Sequence, residues 1–209
     1  MENNPWLSIW VRPKATIGQI VAENPNRSLW VLSFIYGFSS LINMFQSFNL
    51  GVVFSPVALY FLAAILAPFW GYAMLAIWSW IILWLGRLFK GQATFQQARA
   101  AYAWSSVPLA LNIPVWIFMG ILFGDQVFLN FPDSHLFTDG QIFFLFASLV
   151  IKLVAAVWSL VIYFNALAQV QQFSVLRAIG NIVLAGIVAA VAMTLLWMAI
   201  FKMIGPAGG

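Results

Sequence analysis

The stretch that decides the fold runs from residue 28 to residue 86 and reads SLWVLSFIYGFSSLINMFQSFNLGVVFSPVALYFLAAILAPFWGYAMLAIWSWIILWLG, with no Asp, Glu, Lys or Arg. A helix rises ~1.5 Å per residue and the hydrocarbon core of a bilayer is ~30 Å thick, so ~20 apolar residues make one crossing. The stretch is far longer than one crossing. It therefore predicts two membrane-spanning helices, joined by a turn at the helix-breaking residues Asn49, Gly51, Ser55 and Pro56.

The rest of the chain continues this pattern, because 64% of all 209 residues are hydrophobic and only 7% are charged. A soluble domain carries about 25% charged residues. We predict an all-α, polytopic bundle with spans at residues 29–48, 57–85, 100–124, 142–167 and 178–201. The predicted organisation is a cytoplasmic segment with a short interfacial amphipathic helix (1–28), a five-span domain (29–201) and a short tail (202–209).

The basic residues predict the orientation, since Lys and Arg near span ends stay in the cytoplasm. Seven of the nine lie in segments that five spans place on one side: Arg12, Lys14, Arg27, Arg87, Lys90, Arg99 and Arg177. The long loop on the other side carries Asp125, Asp133, His135 and Asp139. We expect a cytoplasmic N-terminus and an outside C-terminus in a plasma membrane.

The N-terminal segment predicts a helix along the membrane surface, because Trp6 and Trp10 carry indole rings that prefer the headgroup zone. Thr16 and Gln19 have the spacing of a capping box at its start, and Thr94 with the third residue after it repeats that spacing before span three. Acidic Glu2 and the absence of a continuous apolar run argue against a cleaved signal peptide.

Two short motifs resemble those of one family. The first lies in the opening segment and the second precedes span three; their residues are Pro5, Trp6, Trp10, Arg12, Pro13 and Thr16, then Gly91, Thr94, Tyr102 and Pro108. The chain resembles bacterial members of the Yip family, named for proteins that interact with Ypt/Rab GTPases. The resemblance implies the five-span fold and a non-catalytic role in membrane organisation.

Eukaryotic members of that family act in membrane trafficking, partly by binding prenylated GTPases and one another. They use a long cytoplasmic N-terminal region, whereas about 28 residues precede the first span here, so we do not expect a GTPase partner. The expected partners are the lipid bilayer and membrane proteins, including further copies of the chain. No nucleic-acid partner is expected.

Lys152 is the one charge inside a predicted span, and burying it costs at least ~2.5–3.5 kcal/mol at the bilayer centre. It shares a helical stripe with Ser148, Ser159 and Tyr163. Span three offers Ser106, Asn112 and carbonyls freed by its prolines as partners. These residues predict either a ligand or ion site in a small transporter or channel, or packing with Lys152 snorkelling towards the interface.

Enzymatic and metal chemistry have no support in the sequence. The chain has no cysteine and one histidine, and it lacks phosphate-binding glycine motifs, HExxH and GxSxG. The three aspartates of the long loop do not have the alternating spacing of a calcium loop. We therefore expect no enzyme activity, metal or cofactor.

Overall fold

The computed structural model describes residues 4–129 and 137–204, with side chains described up to residue 200. The predicted residues Asp133 and His135 lie outside the described part. Eight α-helices follow one another along the described chain: α1 (Pro5–Val11), α2 (Pro13–Glu23), α3 (Leu29–Ser47), α4 (Pro56–Gly86), α5 (Phe95–Ser105), α6 (Asn112–Phe123), α7 (Asp139–Gln171) and α8 (Val175–Ile204).

The five predicted spans are confirmed. Five segments are long and apolar enough to cross a membrane: α3, α4, the α5–α6 unit, α7 and α8. The predicted bounds lie within a few residues of the observed helix ends, except that span three begins at Phe95 rather than near residue 100. The helix that carries Arg99, α5, forms the first part of span three.

Span three is broken, as its two prolines predict. A 3₁₀ segment, Val107–Leu111, separates α5 from α6 and places Pro108 near its start. A proline has no N–H to donate and disrupts the regular hydrogen-bond ladder. Pro68, in contrast, lies inside α4, which continues from Pro56 to Gly86.

The interior divides into two clusters of buried side chains. One lies towards the end with the N-terminal helices and joins α1, α2, α3, α4, α5, α7 and α8. The other joins α3, α4 and α6 to the 3₁₀ segment Gly124–Phe128, around Trp116 and Phe128. Both clusters involve α3 and α4, so this helix pair runs the length of the bundle.

The N-terminal segment forms two helices where the sequence predicted one. Pro5 and Pro13 each occupy the first turn of a helix, where a missing N–H costs nothing. The predicted capping box at Thr16 is wrong, because α2 begins at Pro13 and the Thr16 hydroxyl donates instead to Ser8 Oγ. The second box, at Thr94, is confirmed, with both reciprocal hydrogen bonds to Gln97 present.

Candidate functional site

Lys152 belongs to α7, and its ammonium group faces an aromatic ring of α6. Its Nζ is 3.4 Å from the centroid of the Trp116 ring and 3.4 Å from Met119 Sδ. The sequence predicted carbonyls, hydroxyls or water as partners, whereas the structure gives an indole face and a thioether. A cation over an indole is attracted by the negative face of the ring, by up to ~2 kcal/mol when desolvated.

Of the other predicted site residues, Ser148 and Ser106 bond to nearby carbonyls, whereas the Tyr163 hydroxyl and the Asn112 side-chain oxygen have no hydrogen-bond partner in the described structure. Ser148 donates to the carbonyl of Leu145 in the preceding turn, and Ser106 donates likewise to Ala103. Tyr163 is buried, with its ring 4.9 Å from that of Tyr102. Asn112 is buried, and its Oδ1 has no hydrogen-bond partner within the structure described.

Neighbouring spans satisfy carbonyls at the break in span three. The Leu109 N–H bonds to Ser106 O, which leaves the Ser105 carbonyl outside the regular ladder. Ser159 of α7 donates to that Ser105 oxygen at 2.7 Å, and Ser39 of α3 donates to the Leu109 oxygen at 3.5 Å. Two of the broken helix's carbonyls are therefore used to join spans, as expected for irregular backbone buried in a membrane protein.

Arg99 is a buried arginine that the sequence analysis treated only as a loop charge. Its guanidinium donates to Asn26 Oδ1 at 2.7 Å and to Tyr72 Oη at 2.8 Å, and it lies 5.2 Å from the centroids of the Tyr72 and Phe95 rings. The side chain is only 6% exposed. It joins the start of α3, the middle of α4 and the start of α5 at one position.

The two motif segments meet in space. The Trp6 ring lies 5.2 Å from that of Trp104, two residues beyond Tyr102 of the second motif. Ile9 and Ile17 are fully buried, and the carbonyl of Trp10 accepts a hydrogen bond from Trp158 Nε1. Arg12 is exposed at the junction of α1 and α2. The opening motif therefore docks α1 and α2 onto α5 and α7.

The second motif packs at the same end of the bundle, where it is hydrogen-bonded to Gln171 of α7. The Gln171 side chain accepts a hydrogen bond from the Ala93 N–H, and its main-chain oxygen accepts one from Gln92. A Cβ at Gly91 would collide with Gln171 Oε1, so a larger residue there would displace the oxygen that accepts from the Ala93 N–H. Close packing explains this motif residue without any ligand.

Tyr102 lies in an aromatic cluster that connects four spans. Its hydroxyl donates to Tyr36 Oη at 3.0 Å, and its ring packs against those of Tyr36, Trp78 and Tyr163. These partners belong to α3, α4 and α7. The cluster explains why a tyrosine, with both a large ring and a hydroxyl, occupies this motif position.

Within residues 4–129 and 137–204, no group of three or more His, Asp or Glu side chains is placed to hold a metal ion. Of the acidic residues in the long loop, Asp125 lies in the 3₁₀ segment after α6 and Asp139 begins α7. In the described part of the chain, the candidate site residues therefore make packing contacts and buried hydrogen bonds between spans.

Five apolar spans and a docked N-terminal pair of helices define a multi-pass α-helical membrane protein. The family model of the Yip1 domain matches residues 7–199, so the chain belongs to the Yip1-domain family. No curated protein and no solved structure gives a significant match to the chain. This match confirms the Yip family predicted from the sequence, and the family is generally non-enzymatic.

Proposed function

We propose that the protein is a non-catalytic adaptor that binds other membrane proteins in the plane of the bilayer through the outer half of α8. The observation that carries the proposal is the exposure of residues 191–200, every one of which is exposed. Only 6% of the most apolar part of α8 is buried, against 56% for α3. All sides of this half-helix are therefore open to lipid or to a partner.

The arrangement around Lys152 supports an adaptor over a transporter. Its ammonium group is held between the Trp116 ring and Met119, and Ser159 is bonded to the backbone of span three. A transport site needs hydrated or exchangeable polar groups along a path. Here these groups contribute contacts between α7 and span three.

A small transporter or channel is the second candidate, because the Asn112 side chain is buried with an unpartnered Oδ1. This candidate predicts water beside α7. If the protein is an adaptor, a cysteine in place of Ser148, which is 3% exposed, should not be labelled by a membrane-impermeant thiol reagent. The chain has no natural cysteine, so each label reports one site.

Site-specific photocrosslinking tests the adaptor role directly. The photoreactive residue replaces Trp197 on α8 and, as a matched control, Leu149 on α7, which are 68% and 62% exposed. The two positions lie at similar depth, because α7 and α8 are joined by a short turn after Gln171. Discrete protein adducts from position 197 and none from position 149 are expected. Equal, diffuse labelling at both positions would rule out a partner on α8.

We propose a plasma membrane and a cytoplasmic N-terminus for this adaptor. Seven of the nine basic residues belong to segments that five spans place on one side, which supports this orientation. A cysteine in place of Gln96, exposed near the start of α5, should then be labelled only when the reagent reaches the cytoplasmic face. A cysteine in place of Gly140, exposed at the start of α7, should be labelled from outside.

A further inference from the structure

A groove of about 670 Å³ opens between the end of α4 and the start of α5, at the end of the bundle that carries Arg99. Its volume is within the ~300–1,000 Å³ typical of small-molecule sites. The groove is lined by one stripe of α4 and the segment leading into α5: Trp80, Leu83, Trp84 and Arg87, then Ala93, Thr94 and Phe95.

The lining changes from apolar to basic along the helix axis. Trp80, Trp84 and Arg87 are spaced by four and three residues, so they share one face of α4 and its 3₁₀ extension. Both indoles are largely exposed, at 66% and 61%. The 31 residues of α4 span ~46 Å, more than the ~30 Å hydrocarbon core, so its end reaches the headgroup zone. Indoles favour the boundary between acyl chains and headgroups, so Trp80 and Trp84 are suited to that boundary and Arg87, further along the helix, to the depth of the phosphates.

The groove carries positive charge with no acidic group to balance it. Arg87 is exposed and makes no ion pair in the described chain, and Lys90 follows in the same turn. Arg99 lies behind the groove wall, with its guanidinium 5.2 Å from the centroid of the Phe95 ring. No Asp or Glu occurs between residues 24 and 124. An anion entering the groove would meet Arg87 directly, with Lys90 and Arg99 nearby and no acidic residue in the lining.

We propose that this groove is a binding site for one anionic glycerophospholipid, with its phosphate on Arg87 and an acyl chain against Trp80, Leu83 and Trp84. An arginine matches the phosphate geometry with two parallel hydrogen bonds. The indole wall selects a lipid over a free anion, because it adds apolar contact at the depth of an acyl chain. The site is independent of the adaptor surface on α8.

The test measures phospholipid binding to the purified full-length protein by native mass spectrometry. Phosphatidylglycerol and phosphatidylcholine with identical acyl chains are titrated into the wild type and three variants. Arg87→Gln removes the proposed phosphate contact, and Arg87→Lys keeps the charge. Arg177→Gln removes another exposed basic residue that does not line the groove and serves as the matched control.

We expect the wild type to bind the first phosphatidylglycerol molecule roughly tenfold more tightly than the first phosphatidylcholine molecule. Both lipids offer a phosphate to Arg87, but the choline cation of phosphatidylcholine offsets the negative charge of its phosphate. Arg87→Gln should abolish this preference, whereas Arg87→Lys and Arg177→Gln should keep most of it. Equal losses in Arg87→Gln and Arg177→Gln would mean general attraction to a basic surface and would overturn the site. Displacement of the lipid by a similar concentration of inorganic phosphate would also overturn it.

A second measurement needs only the wild-type protein and so does not depend on folding of a variant. Bromine atoms on an acyl chain quench nearby indoles, and two exposed indoles line the groove. Brominated phosphatidylglycerol, present as a minor lipid in vesicles, should quench tryptophan fluorescence more than brominated phosphatidylcholine at the same fraction. Equal quenching by the two lipids would contradict the proposal.

Discussion

Gly37 and Gly71 lie against each other where α3 and α4 cross, with the two helix backbones in direct contact. A Cβ placed on Gly37 would collide with the carbonyl of Ala67, and a Cβ placed on Gly71 would collide with the carbonyl of Ser33. Each glycine thus has a small residue four positions before it on the same helix face. In lipid, such small residues allow the close approach on which dispersion and backbone contacts depend.

Gly71→Ala is expected to destabilise the protein by roughly 1–3 kcal/mol, the usual effect of forcing a methyl group into a packed interior. The obstructing atoms are backbone, so they cannot move aside without separating α3 from α4. Thermal unfolding of the purified protein in detergent measures the change. Gly186→Ala on α8 is the matched control, because a Cβ there meets nothing within 4 Å. Equal melting temperatures for the two variants would contradict the close crossing.

The buried arginine makes a second prediction. Arg99→Lys keeps the charge but cannot bond Asn26 and Tyr72 together with the same planar fork, so we expect a loss of about 1–3 kcal/mol. Arg177→Lys on the exposed start of α8 should change stability by less than ~0.5 kcal/mol. Chemical unfolding followed by tryptophan fluorescence compares the two. An Arg99→Lys variant as stable as the wild type would show that the guanidinium hydrogen bonds do not hold α3, α4 and α5 together.

The number of spans and the break in span three could be predicted from sequence because they depend on local properties. Hydrophobic length determines whether a helix crosses the bilayer, and a proline inside a helix removes one N–H from the local hydrogen-bond ladder. The capping box at Thr94 is local in the same sense. The box at Thr16 failed because Pro13 begins the helix earlier, and a proline at the first position outweighs a weak spacing signal.

The contacts between spans were not predictable in the same way. The sequence places Lys152 inside a span but does not reveal Trp116, 36 positions earlier, as its partner. Arg99 likewise has the sequence context of a loop charge, because its proximity to Asn26 exists only after the bundle has formed. The local sequence determines which helices form, whereas which helix faces pack against each other depends on all five spans together.

Lys152→Met is expected to be tolerated, with a stability change below about 1 kcal/mol. The substitution gives up the cation–π contact with Trp116, but it also removes the cost of keeping a charge inside a span. Lys152→Glu should be far more harmful, because a carboxylate over the negative face of an indole is repelled and has no basic partner there. Urea unfolding in detergent or short-chain lipid micelles measures both. A strongly destabilised Lys152→Met would mean that the ammonium group has further partners in the folded protein.

Docking of the N-terminal helices makes the last prediction, and the absence of natural cysteines makes it measurable. Trp6 packs against Trp104, and Ile9, three residues on, is fully buried in the same contact region. A cysteine at Ile9 should therefore react slowly with a thiol reagent, since it becomes accessible only when α1 opens locally. Adding Trp6→Ala should lower the opening free energy by roughly 2 kcal/mol and raise the labelling rate about 30-fold.

A cysteine at Leu7, which is 71% exposed, provides the control, because its labelling should be fast with or without Trp6→Ala. If labelling at Ile9 stays slow in the Trp6→Ala background, the Trp6–Trp104 contact is not what holds α1. The Thr16–Ser8 and Trp158–Trp10 hydrogen bonds would then be the next contacts to test, since they also tie α1 to α2 and α7. Repeating the labelling with Trp158→Phe, which keeps an aromatic ring but removes the indole N–H, separates these two contributions.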